Sequence, residues 1–270
     1  MASERKGTET ATRVADVLML FTDGPGSRGV TAIARSLDLS KTVVHRTLVS
    51  LVDRGFLVTD PRTREYALGP SLASLGARAL RESSLRTAAL PVMRLLHDVT
   101  GETVTISARV PDGRVYLDQI ESTREIKMTV ELGRRFPLHA GSSGNCILAF
   151  LPAAERRAYL AHHELEALTA QTITDLILLT ARINDVRRSG VAQSDGERQQ
   201  GAGSVASPIF AFDGRVVGAL SVCGPGYRIS ADVRSAMVPR VRGGADQISR
   251  ALGWRGGLPK DGTDKEDPHA

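Results

Sequence analysis

Residues 37–58 read LDLSKTVVHRTLVSLVDRGFLV, and the spacing inside them decides how the N-terminal part of the chain folds. Ser40 offers a capping oxygen to the first turn of a helix. Val44, Leu48, Leu51 and Val52 then recur at i, i+4, i+7 and i+8 as one apolar stripe, and Gly55 supplies a stop. At about 100° per residue, Thr42, Arg46, Val49, Ser50 and Asp53 point away from that stripe, with Lys41 and His45 at the N-terminal margin. The helix therefore has one core face, and its opening turns are polar and basic. A helix start presents free N–H groups and a positive dipole end to phosphates. Lys41 and Arg46 suit guanine or phosphate, and Ser40, Thr42 and His45 suit either.

Outward from this stretch, Thr31 is the expected N-cap of a short helix carrying Ile33, Ala34 and Leu37, with Asp38 in the tight turn before Ser40. Asp tolerates the left-handed conformation such a turn needs. An earlier helix runs from Thr12 with Val14, Val17, Leu18 and Phe21 inward, and stops at DGPGSRG. After residue 55, FLVTD and REYALG read as two strands joined by PRT. Three helices and a β-hairpin over residues 12–70 predict a winged helix-turn-helix. Arg62 and Arg64 flank the wing tip, placed for the DNA backbone or the minor groove. The competing reading is a helical hairpin with a solvated basic face.

At 270 residues the chain exceeds one ordinary domain, so two are expected. A composition 41% hydrophobic and 24% charged fits a globular protein, and a net charge of +5 permits a polyanion partner without demanding one. Residues 1–11 and 255–270 are polar or rich in Gly, Pro and charge, and are expected to be disordered. Between the domains, residues 71–84 form a linker helix with Leu72, Leu75, Ala79 and Leu80 on it, suited to pairing with a second copy. Residues 85–254 alternate helical and strand patterns around the hairpin signals Pro111-Asp112-Gly113 and Asp213-Gly214, and Pro239 with Gly243-Gly244 marks an expected bend in the last helix. The expected class is α+β with an antiparallel sheet. Cys146 and Cys223 match no disulfide framework or zinc spacing and suit a reducing cytoplasm. No run of about 18 apolar residues occurs, so neither export nor a membrane span is expected.

In FPLHAGSSGNCILAF (136–150) small residues precede an apolar helix, whose first N–H groups can hold a carboxylate; the alternative is a structural turn with a satisfied His139. Ser221 and Cys223 are spaced by two on a strand and share a face. HHE at 162–164 lacks a third spaced ligand, GAGSVA at 201–206 is not a strand-to-helix dinucleotide loop, and GSSG is no nucleophile elbow. No cofactor is expected. An enzyme, a hydrolase or acyltransferase using Ser142, Cys146 or Cys223 as nucleophile, is the rival class, and no base or orienting group is evident for it. A sensor module acting only through protein partners is the third.

Four separated blocks in order carry a resemblance: LSKTVVHRTLVSLVDRGFLV with YALGPSL after it, TGETVTISARVPDGRVYLDQIES, FPLHAGSSGNCILAFLP and DGRVVGALSVCGP. From about Thr12 to Gly253 the chain resembles the IclR family of bacterial transcriptional regulators. The resemblance implies a winged helix-turn-helix, a linker helix, and a C-terminal effector domain with a GAF/PAS-like sheet. It implies double-stranded operator DNA as partner, a small organic or aromatic acid as effector, repression more often than activation, and a homodimer or homotetramer. By the same resemblance Ser142 and Ser143 lie on the effector loop, Met128, Phe136 and Leu138 form an apolar wall, and Ser221 and Cys223 supply polar contacts. Ser204 falls where some members carry cysteine, and Ser194 precedes Asp195 where some carry consecutive acidic residues, so a different effector from theirs is expected.

Overall fold

In the computed structural model, which describes residues 8–22 and 24–258, the chain divides between Glu82 and Ser83 into two units. The first opens with α1 (Glu9–Met19), three residues earlier than the apolar pattern predicts. Thr8 caps it by accepting from the Ala11 N–H at 3.4 Å, and Glu9 favours the positive end of the helix and pairs with Arg13 one turn on. Of the N-terminal segment expected to be disordered, residues 8–11 are thus cap and helix, and residues 1–7 lie outside the described residues. A two-residue strand, β1 (Ser27–Arg28), is too short to show any alternation in sequence. In α2 (Val30–Ser36) the cap is Gly29, not Thr31, which falls inside the first turn.

Asp38 adopts φ 51° in the turn before α3 (Lys41–Asp53), and the Ser40 hydroxyl accepts from the Val43 N–H at 3.3 Å. Val44, Leu48 and Leu51 of α3 meet Val17, Ile33, Leu57 and Tyr66 in one core. Each such side chain contributes about 1.5–3 kcal/mol on burial. The wing strands β2 (Leu57–Thr59) and β3 (Tyr66–Leu68) pair antiparallel, with β1 on the other edge of β3. Their connection is wider than PRT because the Asp60 carboxylate accepts from the N–H groups of Arg62 at 2.7 Å and Thr63 at 3.3 Å, closing a turn over 60–65. The unit ends with α4 (Pro70–Glu82), none of whose residues is buried.

The second unit begins with α5 (Ser84–Thr100), capped by Ser83 and ended by Gly101 at φ 65°. Strands β4 (Thr103–Val110), β5 (Gly113–Ile120), β6 (Arg135–Phe136), β7 (Ala192–Asp195), β8 (Ala202–Phe210) and β9 (Val216–Pro225) form one antiparallel sheet in the order β6-β5-β4-β9-β8-β7. Between β6 and β7 lie α6 (Ser142–Ala149), α7 (Ala153–His162) and α8 (Leu176–Ser189), and α9 (Ala231–Ala251) follows β9. α9 includes Pro239 and Gly243-Gly244 within its length.

Strand alternation divides the sheet faces. Val104, Ile106, Val205, Ile209, Leu220 and Val222 point into a core with α5 and α9. On the opposite face Ala206, Phe210 and Ala219 pack with Ile147 and Leu148 of α6 and Leu179 and Ile183 of α8. That second face also carries the intervening polar positions Thr103, Thr105, Ser107, Ser221 and Cys223, buried and facing the start of α6 rather than an apolar layer. The expected disordered tail starts too early at 255: Trp254 and Leu258 pack against the second core, and residues 259–270 lie outside the described residues.

Candidate functional site

Two surfaces gather the residues singled out in the sequence. On α3, Lys41, Thr42, His45 and Arg46 are exposed while Val44 and Leu48 of the same helix are fully buried. The Ser40 side chain is engaged in its cap, so its first role is to hold the helix start. Arg46 and His45 also line a groove with Arg13 and Val14 of α1. Arg62 and Arg64 are exposed on the wing turn, Arg64 at φ 59°. The opening turns of α3 and the hairpin turn therefore both expose basic side chains.

The other surface is a cavity in the second unit, between the polar sheet face and the start of α6. It brings together Met128, Ser142, Ser143, Ser194, Ser204, Ser221 and Cys223, drawn from five separate stretches of chain. Phe136 and Leu138 do not line it: Phe136 packs on Tyr116 and Val130 behind the cavity, and Leu138 is committed to the α6–α8 core. Ser142 and Ser204 share a hydrogen bond of 2.7 Å between their hydroxyls. Gly141 caps α6 at φ 82°, a conformation that favours glycine, and donates its N–H to Glu197 at 3.1 Å. A side chain on Gly144 would stand 2.6 Å from the Leu138 carbonyl, so glycine lets the chain fold back on itself there. The free space is about 30 Å³, room for about two or three waters. A larger ligand must therefore displace the rim, where Met128 and Arg198 are half-buried and Gln199 is exposed.

Sequence reasoning missed the charged part of this lining. Arg114 is 1% exposed, yet it forms no ion pair among the described residues; its Nε has no hydrogen-bond partner and Nη1 reaches only the Ser107 hydroxyl at 3.4 Å. Its guanidinium stacks 4.6 Å from the Tyr116 ring and 5.4 Å from that of Phe136. Arg198 lies 5.7 Å and 5.2 Å from the same two rings, also without an ion pair among the described residues. Glu197 is not their counter-ion. It is held by Arg182 at 3.0 Å and Asn145 at 3.2 Å as well as by the Gly141 N–H. Cation–π contact returns about 2 kcal/mol when desolvated. Removing an unpaired charge from water costs several kcal/mol, so the rings do not balance Arg114. The one sequence signal was period two: Arg114 and Tyr116 share a face of β5.

The nucleophile candidates lack activation. Burial pushes the Cys146 thiol up to about 12 and the Cys223 thiol up to about 11, so neither forms a thiolate near neutral pH. The buried His139 is satisfied by the Tyr159 hydroxyl at 3.2 Å and the Glu166 carbonyl at 3.0 Å, and neither contact involves Ser142. His163 stacks on Tyr159, and no three metal-binding side chains converge among the described residues. No helix among those residues is long and apolar enough to cross a membrane.

Residues 10–61 match the IclR helix-turn-helix domain family, and residues 77–250 match the family described as bacterial transcriptional regulator IclR C-terminal. The HTH-type transcriptional regulator BhcR of Paracoccus denitrificans is 33% identical over 254 residues, 94% of this chain and 91% of its own. The crystal structure of an IclR transcriptional regulator from a Silicibacter species superposes with a TM-score of 0.83 at 31% identity, covering 93% of this chain and 100% of the other. An IclR homolog from Microbacterium hydrocarbonoxydans, crystallised with 4-hydroxybenzoate, gives a TM-score of 0.71 at 26% identity over 90% of this chain and 99% of its own. Matched in both units and along most of its length, the chain belongs to the IclR family of bacterial transcriptional regulators, with a helix-turn-helix DNA-binding domain ahead of a C-terminal effector domain.

Proposed function

We propose that Lys41, Thr42, His45 and Arg46 read operator DNA in the major groove while Arg62 and Arg64 hold the flanking backbone or minor groove. The cavity lined by Ser142, Ser143, Ser194, Ser204, Ser221, Cys223 and Met128 receives a small organic or aromatic acid. The observation that carries the DNA contact is the division within α3, whose exposed opening turns are basic while Val44 and Leu48 anchor it. For the cavity, support comes from the first N–H groups of α6, which have no carbonyl within the helix to accept them and favour a carboxylate. The homologue crystallised with 4-hydroxybenzoate supports an acid as ligand.

The protein acts in the cytoplasm as a homodimer or homotetramer, with repression as the expected sign. It works as a binding protein rather than a catalyst, a reading supported by membership of a family of transcriptional regulators. Ligand binding shifts the equilibrium between DNA-competent and incompetent geometries in proportion to its differential affinity for them. The test is fluorescence anisotropy of the full chain on its own upstream intergenic DNA and on random DNA, across salt. Arg46→Ala is expected to weaken specific binding by about 1–3 kcal/mol, and wild-type affinity should fall steeply as salt rises. Equal affinity for both DNAs would overturn the reading.

A further inference from the structure

The charge left over in the cavity says more about its occupant than the serines do. Three charged side chains line it: Arg114, Glu197 and Arg198. Glu197 already has Arg182, Asn145 and the Gly141 N–H, which leaves two guanidiniums without a carboxylate among the described residues. Both lie against the same pair of rings, Tyr116 and Phe136, which contact the guanidiniums without neutralising them. Arg114 is the decisive member, since it is 1% exposed with its Nε unpartnered and cannot turn to solvent.

We infer that the ligand is a short dicarboxylate, with one carboxylate at the start of α6 and the second facing Arg114 and Arg198. The inference rests on the effector-cavity reading and sharpens it. A single carboxylate is served by the first turn of α6 and the Ser142 hydroxyl, and it leaves the arginine side of the cavity as unbalanced as before. A second carboxylate supplies the planar, two-oxygen acceptor that a guanidinium fork accepts best. Both charge sites line one cavity of the second unit, which bounds the separation of the two acidic groups.

The test is isothermal titration of the full-length protein with straight-chain diacids of two to six carbons, their monoamides, and monoacids of matching length. The best diacid is expected to bind at least about tenfold more tightly than its monoamide. Arg114→Gln is expected to bring that ratio close to one, and Arg198→Gln, on the half-buried rim, to lower it without threatening the fold. Ser142→Ala should weaken diacid and monoamide alike. The inference is overturned if no diacid outbinds its monoamide, or if the preference survives both arginine substitutions. Monoacid binding that Ser142→Ala abolishes would leave the cavity as the effector site and remove only the second carboxylate. Binding indifferent to Ser142→Ala would remove the site itself.

Discussion

Arg114 sits where the fold would be content with an apolar side chain. Its neighbours Tyr116 and Phe136 are buried and aromatic, and the guanidinium meets no carboxylate among the described residues. The ligand-free protein therefore bears a desolvation cost at this position, offset only in part by ring contacts. Arg114→Met keeps the length and apolar packing while deleting the charge. Its expected effect on ligand-free protein is a gain of about 1–3 kcal/mol, read as a higher urea midpoint at unchanged slope. A lower midpoint would mean that the stacked guanidinium stabilises the free fold by itself. The loss belongs to ligand binding, so affinity and stability are expected to move in opposite directions in this variant.

Among the elements, α4 carries apolar side chains that the described residues leave uncovered. Leu75 is 55% exposed and Leu80 39%, on a helix with no buried residue. A second copy of α4 is the expected cover, and the double change Leu75→Gln, Leu80→Gln should shift light-scattering mass toward the monomer with little loss of secondary structure; an unchanged mass would place the contact elsewhere. Elements with strong periodicity were the most legible in sequence. α3 was found with its cap and its buried face, and both Asp-Gly hairpins fell where expected because a left-handed residue must sit there, Asp112 at φ 54° and Gly214 at φ 82°. β1 and β6 are two residues each and carry no pattern to read. The cavity was half legible. Period two put Ser221 and Cys223 on one face, but nothing local says that Arg114 is covered, because burial of a charge is decided by segments far away in sequence. Phe136 and Leu138 went the other way: the family resemblance implied an apolar wall, and tertiary packing places both in cores instead.

At the scale of the molecule, each unit has a core of its own, and the family resemblance legible from sequence extends across both. The cavity is assembled from β4, β5, the 121–134 connection, the start of α6, β7 and the turn after it, and β8 and β9, so its walls span residues 105 to 223. The proposed occupant of this cavity would work as a clasp. Any excursion that peels β9 from β4, or lifts α6 off the sheet, must first let go of the molecule held among them. Amide hydrogen exchange should therefore slow together along Thr105, Ser142, Ser204 and Ser221 when ligand is added, despite their distance in sequence. Protection confined to the rim around Met128 and Gln199 would instead describe a ligand resting at the mouth. A fully clasped effector unit has fewer openings to exchange among, so occupancy changes how readily the domain deforms as well as which shape it prefers.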